Sequence, residues 1–257
     1  MLAPLVVLCG VVGLMVGSFL NVVIHRLPRD ESVVTPRSHC PNCDTELANR
    51  DNIPVLSWLV LRGRCRTCGN PISARYPLVE GLTGALFATV TARFGWDEAL
   101  PAYLVLTAFL IALSAIDLDT FLLPKKLVWP AFGAGVVLLG GASALQGDAR
   151  SALEAAAGST LAFGALFAIH FVSPKGMGFG DVRLAAVLGL YLGWLELPEV
   201  PLGLFLSFLV ASVVGVGLIV TKRKGRKDRV PFGPFLAVGT GIAVLFGEWI
   251  LGAYLGR

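Results

Sequence analysis

Two acidic clusters in this 257-residue chain have the composition to do chemistry together. Asp117-Leu118-Asp119 closes one apolar run, and Gly176-Met177-Gly178-Phe179-Gly180-Asp181 opens another. Ionisable groups at the edge of a membrane span are costly and mark function. Two carboxyls brought together share one proton and titrate as a unit. The ionised member can take a proton from water while the protonated member donates to a scissile carbonyl. That is the chemistry of an aspartyl protease. Each cluster also has a plainer role, Asp117 or Asp119 capping a helix or pairing with Lys125 or Lys126, and Asp181 capping the next helix. The two clusters together favour catalysis, with Gly178 and Gly180 letting a substrate backbone approach Asp181. Spacing alone leaves open whether Asp117 or Asp119 is the partner of Asp181.

Four of the five cysteines form a second constellation. Cys40-Pro-Asn-Cys43 and Cys65-Arg-Thr-Cys68 are separated by 21 residues, a spacing that presents four thiolates tetrahedrally to Zn2+. Four protein ligands leave no open position, so the expected role is structural. The alternatives are two disulfides or four free thiols. His39 is expected to be a bystander and Cys9 lies inside the first apolar run.

The elements that must position these groups are spans. The chain is 55% hydrophobic and 15% charged, with a mean hydropathy of +0.76, where a soluble domain is about 25% charged. A net charge of +4 gives no case for nucleic acid as a partner. Runs near the ~20 residues a span needs predict eight helices, at 2–25, 76–93, 99–116, 127–146, 151–172, 182–196, 201–221 and 231–255. With the N-terminus outside, the inside segments hold 18 of the 21 Lys and Arg residues, as the positive-inside rule requires. The acidic clusters and the cysteine island then face the cytoplasm, with both termini outside. The basic run 222–229 reads as a topology anchor. The fold class expected is an all-α polytopic membrane protein of about eight transmembrane helices with a small cytoplasmic zinc-knuckle insertion after the first. Its divisions are 1–25 as the first helix, 26–75 as the four-cysteine island and 76–257 as a seven-helix membrane domain.

With these residues in place, the chain resembles the bacterial type IV prepilin peptidases, the leader peptidase/N-methyltransferases. The matching segments are Gly17-Ser-Phe-Leu-Asn21, His25-Arg-Leu-Pro28, the two Cys pairs, Ser73-Ala-Arg-Tyr-Pro-Leu-Val-Glu80, Ala115-Ile-Asp-Leu-Asp-Thr-Phe-Leu-Leu-Pro124 and Gly176-Met-Gly-Phe-Gly-Asp181. A lone GxGD also occurs in presenilin-like proteases, which would leave the cysteine island unexplained. The resemblance implies an Asp117/Asp181 dyad that cleaves prepilins and pseudopilins at the cytoplasmic face of the inner membrane. It further implies methylation of the new N-terminus by S-adenosylmethionine, with Gly63 tied to that step, although Gly63 equally suits a knuckle turn. The chain departs from the family pattern at Lys125 and at Arg183. A proton-coupled transporter using the same acids, and a peptidase that does not methylate, are the other readings. Of the remaining polar residues, Asn21 is expected to bond across helices, His170 to be structural, and Glu80 to pair with Arg75 or a substrate amine.

Overall fold

Apolar segments in a bilayer must satisfy their own backbone polar groups, and helices do so within each segment. The computed structural model describes residues 2–40, 42–174, 176–223, 225 and 228–256, and contains helices but no strand among them. Of the residues that set the expected orientation, Lys175, Lys224, Arg226, Lys227 and Arg257 lie outside the described residues. The helices are α1 (Leu2–Arg26), the short α2 (Leu56–Val60), α3 (Arg75–Phe94), α4 (Leu100–Thr120), α5 (Lys125–Gln146), α6 (Ala149–Val172), α7 (Phe179–Leu195), α8 (Glu199–Val220) and α9 (Gly233–Leu255).

Each of the eight long helices falls on one of the expected runs, and the chain is a multi-pass membrane protein. Six of them, α1, α4, α5, α6, α8 and α9, are long and apolar enough to cross a bilayer. The other two fall short for different reasons. α3 opens on Arg75, carries Glu80 and closes on Arg93. α7 has only 17 residues, and nearly all of its length past Asp181 is buried by neighbouring helices.

The chain forms two compact units, Met1–Leu100 and Pro101–Arg257. In the first, α1 packs along α3 through small residues. A Cβ at Gly13 would come within 2.8 Å of the Phe87 Cβ, and one at Gly17 within 2.7 Å of the Glu80 Cα. Close backbone approach of this kind is what small residues provide between membrane helices. Asn21 Nδ2 donates to the Tyr76 carbonyl at 3.1 Å, the bond across helices its place in an apolar run suggested.

In the second unit α7 is the hub, touching α5, α6, α8 and α9. Its seam with α6 is backbone against backbone. A Cβ at Gly158 would meet the Gly189 carbonyl oxygen, and one at Gly193 the Glu154 carbonyl oxygen. Two side-chain bonds cross the bundle interior, Tyr103 Oη donating to the Tyr191 carbonyl at 2.8 Å and Trp194 Nε1 to Ser143 Oγ at 2.8 Å. This packing sets the last turn of α4, the first turn of α7 and the start of α9 beside one another.

Candidate active site

Asp117 sits in the last turn of α4, only 4% exposed, while Asp119 two residues on is exposed. The helical period puts the two on different faces. Asp117 Oδ2 accepts the Gly233 amide of α9 at 2.9 Å. Asp181 lies in the first turn of α7, 8% exposed, and its Oδ2 accepts the Gly178 amide at 3.1 Å. A carboxylate in the first turn is favoured by the helix dipole and by the unpaired amides there. The two carboxyls are brought to one place by Leu123, which bounds both Gly180 beside Asp181 and Gly233, the donor to Asp117.

The glycines beside the acids provide space rather than unusual torsions. Gly178 has φ −71° and ψ 145°, open to any residue. A Cβ on Gly178 would lie 3.2 Å from Asp181 Oδ2, and one on Gly180 would lie 3.1 Å from the Leu123 Cβ. Leu123 also bounds Gly233, where a Cβ would come 3.1 Å from its Cδ2 and 2.8 Å from Asp117 Oδ2. The turn that delivers Leu123 leaves α4 through Phe121 at φ 56°, a left-handed conformation uncommon for a bulky residue.

His170, at the end of α6, meets the Met177 carbonyl through Nδ1 at 2.8 Å, which requires the Nδ1–H form. Its ring lies 5.5 Å from Phe179. Arg183 Nε donates to the Phe179 carbonyl at 3.2 Å, and its guanidinium lies 5.2 Å over the Phe179 ring. The glycine loop is thus held from both sides. Gly233 and Leu123 were not singled out in the sequence. The trace of Gly233 there is its place between two prolines, Pro231-Phe232-Gly233-Pro234, at the start of the last helix.

The cysteine pairs are built by one repeated turn. Cys40 N donates to the Thr45 carbonyl at 3.0 Å and Asp44 N to the Cys40 carbonyl at 2.9 Å; Cys65 N donates to Asn70 at 2.8 Å and Gly69 N to Cys65 at 2.9 Å. Asp44 and Gly69 fill equivalent places, with φ 52° and 71°. The Cys68 amide, followed by that of Thr67, brings the Cys65 thiol down to about 6. All four sulfurs lie within 4.8 Å of one another, and Cys40 and Cys68 Sγ are 3.8 Å apart. A tetrahedral site with metal–sulfur bonds of 2.3 Å needs sulfurs about 3.8 Å apart. The four cysteines are free of disulfides and fit a metal ion. His39 turns its Nδ1 to the Arg37 carbonyl instead, at 3.1 Å.

Gly63 is buried in a turn at φ 66°, where a Cβ would lie 2.9 Å from the Trp58 ring. Trp58 is fixed in turn by its Nε1 donating to the Ile72 carbonyl at 3.1 Å. Glu80 is turned into the first unit and bound to the segment that leads into α2. It is 8% exposed and its Oε2 accepts the Val55 amide at 2.7 Å.

Comparison with known proteins adds the context. Residues 11–94 match the Bacterial Peptidase A24 N-terminal domain, and residues 104–220 match the Type IV leader peptidase family. A protein of Aeromonas hydrophila is 45% identical, over 94% of this chain and 91% of its own length. The chain belongs to the type IV leader peptidase family. Further relatives in that family, from Stutzerimonas stutzeri and Pseudomonas aeruginosa, are 38% and 37% identical over 97% of this chain and 93% of theirs. All three are named prepilin leader peptidase/N-methyltransferase. No solved structure matches the chain. The two family matches meet where the two compact units do, between residues 94 and 104. The leader peptidase match ends at residue 220, so Gly233 and its bond to Asp117 lie beyond it.

Proposed function

We propose that this chain is a prepilin peptidase of the bacterial inner membrane, cleaving leader peptides with Asp117 and Asp181 and methylating the new N-terminus. What carries the reading is the pairing of two buried carboxyls from the ends of α4 and α7, each with one backbone amide donor. In the proposed reaction one ionised carboxyl takes a proton from water as the water attacks the scissile carbonyl. The other, protonated, donates to the carbonyl oxygen; as the C–N bond then breaks, the first gives its proton to the leaving amine and the second recovers one from the tetrahedral hydroxyl. The amides of Gly178 and Gly233 hold the carboxyl groups in register, and Leu123 keeps the two helix ends apart.

The charge pattern supports a cytoplasmic site, with 18 of 21 basic residues on the proposed inner side. Prepilins and pseudopilins, whose apolar helix stays in the bilayer, would then present their leader at that face. Cys40, Cys43, Cys65 and Cys68 would hold structural Zn2+. S-adenosylmethionine would supply the methyl group. Gly63 enters that second activity through the turn it makes against Trp58, since its burial keeps it from direct contact with the donor.

The direct test is mass spectrometry of a prepilin peptide incubated with purified enzyme and S-adenosylmethionine. The expected product lacks its leader and gains the mass of one methylene. An uncut peptide overturns the reading, and a cut but unmethylated product removes the second activity alone. Gly233→Ala is expected to lower cleavage by about 10²-fold, because the new methyl displaces the Asp117 carboxylate and misplacement near 1 Å costs that much. A rate within threefold of the parent, on the order of 0.6 kcal/mol, would show that Asp117 does not need its α9 partner.

A further inference from the structure

Helix α2 is two-faced. Trp58 turns inward onto Gly63 and the Ile72 carbonyl, while Leu56, Leu59 and Val60 are 60%, 57% and 76% exposed. Positions i, i+3 and i+4 share one side of a helix, so these three make a continuous apolar stripe. Ile53, just before the helix, adds to it at 48% exposed. Nothing in the island covers the stripe among the described residues. A water-facing stripe of this kind on a small domain needs a partner.

The level of the stripe along the membrane helices identifies that partner. Glu80 of α3 packs its Cα against Gly17 of α1 and binds the Val55 amide with its carboxylate. The apolar run of α1 continues from Gly17 to Ile24, so this contact lies about 10 Å inside the end of the run at 1.5 Å per residue. Helical side chains lean toward the N-terminus, which for Glu80 is the island end of α3. The carboxylate therefore fastens the start of α2 within that last 10 Å, the depth at which interfacial helices lay their apolar faces, about 5–10 Å into the acyl boundary. Exposed Arg50, Arg62 and Arg64 flank the segment and suit anionic headgroups.

We propose that α2 is an interfacial anchor, its Ile53, Leu56, Leu59 and Val60 face seated in the acyl boundary of an anionic bilayer and latched at that depth by the Glu80–Val55 bond. The island is thereby held flat against the membrane rather than free above it. The inference depends on neither the dyad nor the metal.

The test uses the full chain in vesicles of phosphatidylethanolamine and phosphatidylglycerol, with the photoreactive amino acid benzoylphenylalanine in place of Leu56, Leu59, Val60 or, as reference, exposed Thr67 between the second pair of cysteines. These surface replacements leave the buried part of the island untouched. After illumination, mass spectrometry is expected to find lipid adducts at 56, 59 and 60 in several-fold excess over 67. Equal adducts at 59 and 67 overturn the proposal. So do adducts to added prepilin peptide in place of lipid. In the Leu59-labelled chain, adding Glu80→Ala is expected to lower the lipid adducts, and an unchanged yield would remove the latch.

Discussion

Asp117→Asn and Asp181→Asn are each expected to lower leader cleavage by about 10³-fold or more, the upper part of the range a positioned acid or base contributes. Asp119→Asn should leave the rate within about twofold, because its exposed carboxyl lies off the face of α4 that carries Asp117. The asymmetry follows from burial. Asp117 is enclosed and bonded to Gly233 on another helix, while Asp119 is exposed. Asparagine keeps a carbonyl oxygen that can still accept the Gly233 or Gly178 amide, so both variants should fold and melt like the parent. What they lose is the ability to carry a proton, which separates a chemical role from a structural one. If the 119 variant failed while the 117 variant cut, the dyad would have been drawn on the wrong face of α4. If all three cut at parental rate, the acids would be structural and the protease reading would fall.

The second large effect is expected at the cysteines. Purified protein should contain one zinc per chain, and Cys65→Ser with Cys68→Ser should abolish it. Between residues 27 and 74 the buried residues among those described are Cys40, Gly63 and Cys65. The island's interior is therefore the sulfur cluster and the turn beside it, with too little apolar burial to stand alone. Zinc bound by such knuckles is worth about 10–16 kcal/mol in isolated peptides, far above what a few half-buried side chains supply. Loss of the metal should open residues 32–72 to protease under conditions where the parent resists, while the unit 101–257 keeps its fold. An island equally resistant without metal would show another source of stability. A metal assay returning iron would keep the cluster but change its chemistry.

Much of the fold was legible because it is written locally. Hydropathy located all eight long helices, most to within about two residues, the usual scatter of helix ends. The crossing count was harder. α7 is one residue short of the length that marks the other spans and is wrapped by neighbouring helices, and the polar residues of α3 serve contacts inside its own unit.

The site divides in the same way. The two acids stand out as charges at the ends of apolar runs, and the cysteines by their spacing. Long-range partners do not. The amide that binds Asp117 comes from 116 residues away, and no local pattern around Gly233 points to α4. Glu80 was visible as an oddity, but its partner Val55 carries no side-chain signal for a backbone bond. The glycines of the 176–181 loop suggested close approach, and what comes close is the Leu123 and Asp181 side chains, which would crowd a Cβ on Gly180 or Gly178. His170 had the bland role of a bonded histidine, and the structure gives that bond a location, the loop leading into Asp181.

The Gly233 amide on Asp117 also sets an order of events during biosynthesis. Asp117, Asp181 and Gly233 follow one another along the chain, so a polypeptide still on the ribosome acquires both acids before it acquires the group that steadies the first. At about 5–20 residues per second, translation from the second acid to that glycine takes on the order of seconds. On the proposed dyad, a chain that has not yet inserted α9 holds Asp117 without its amide donor and should cleave no better than the Gly233→Ala variant.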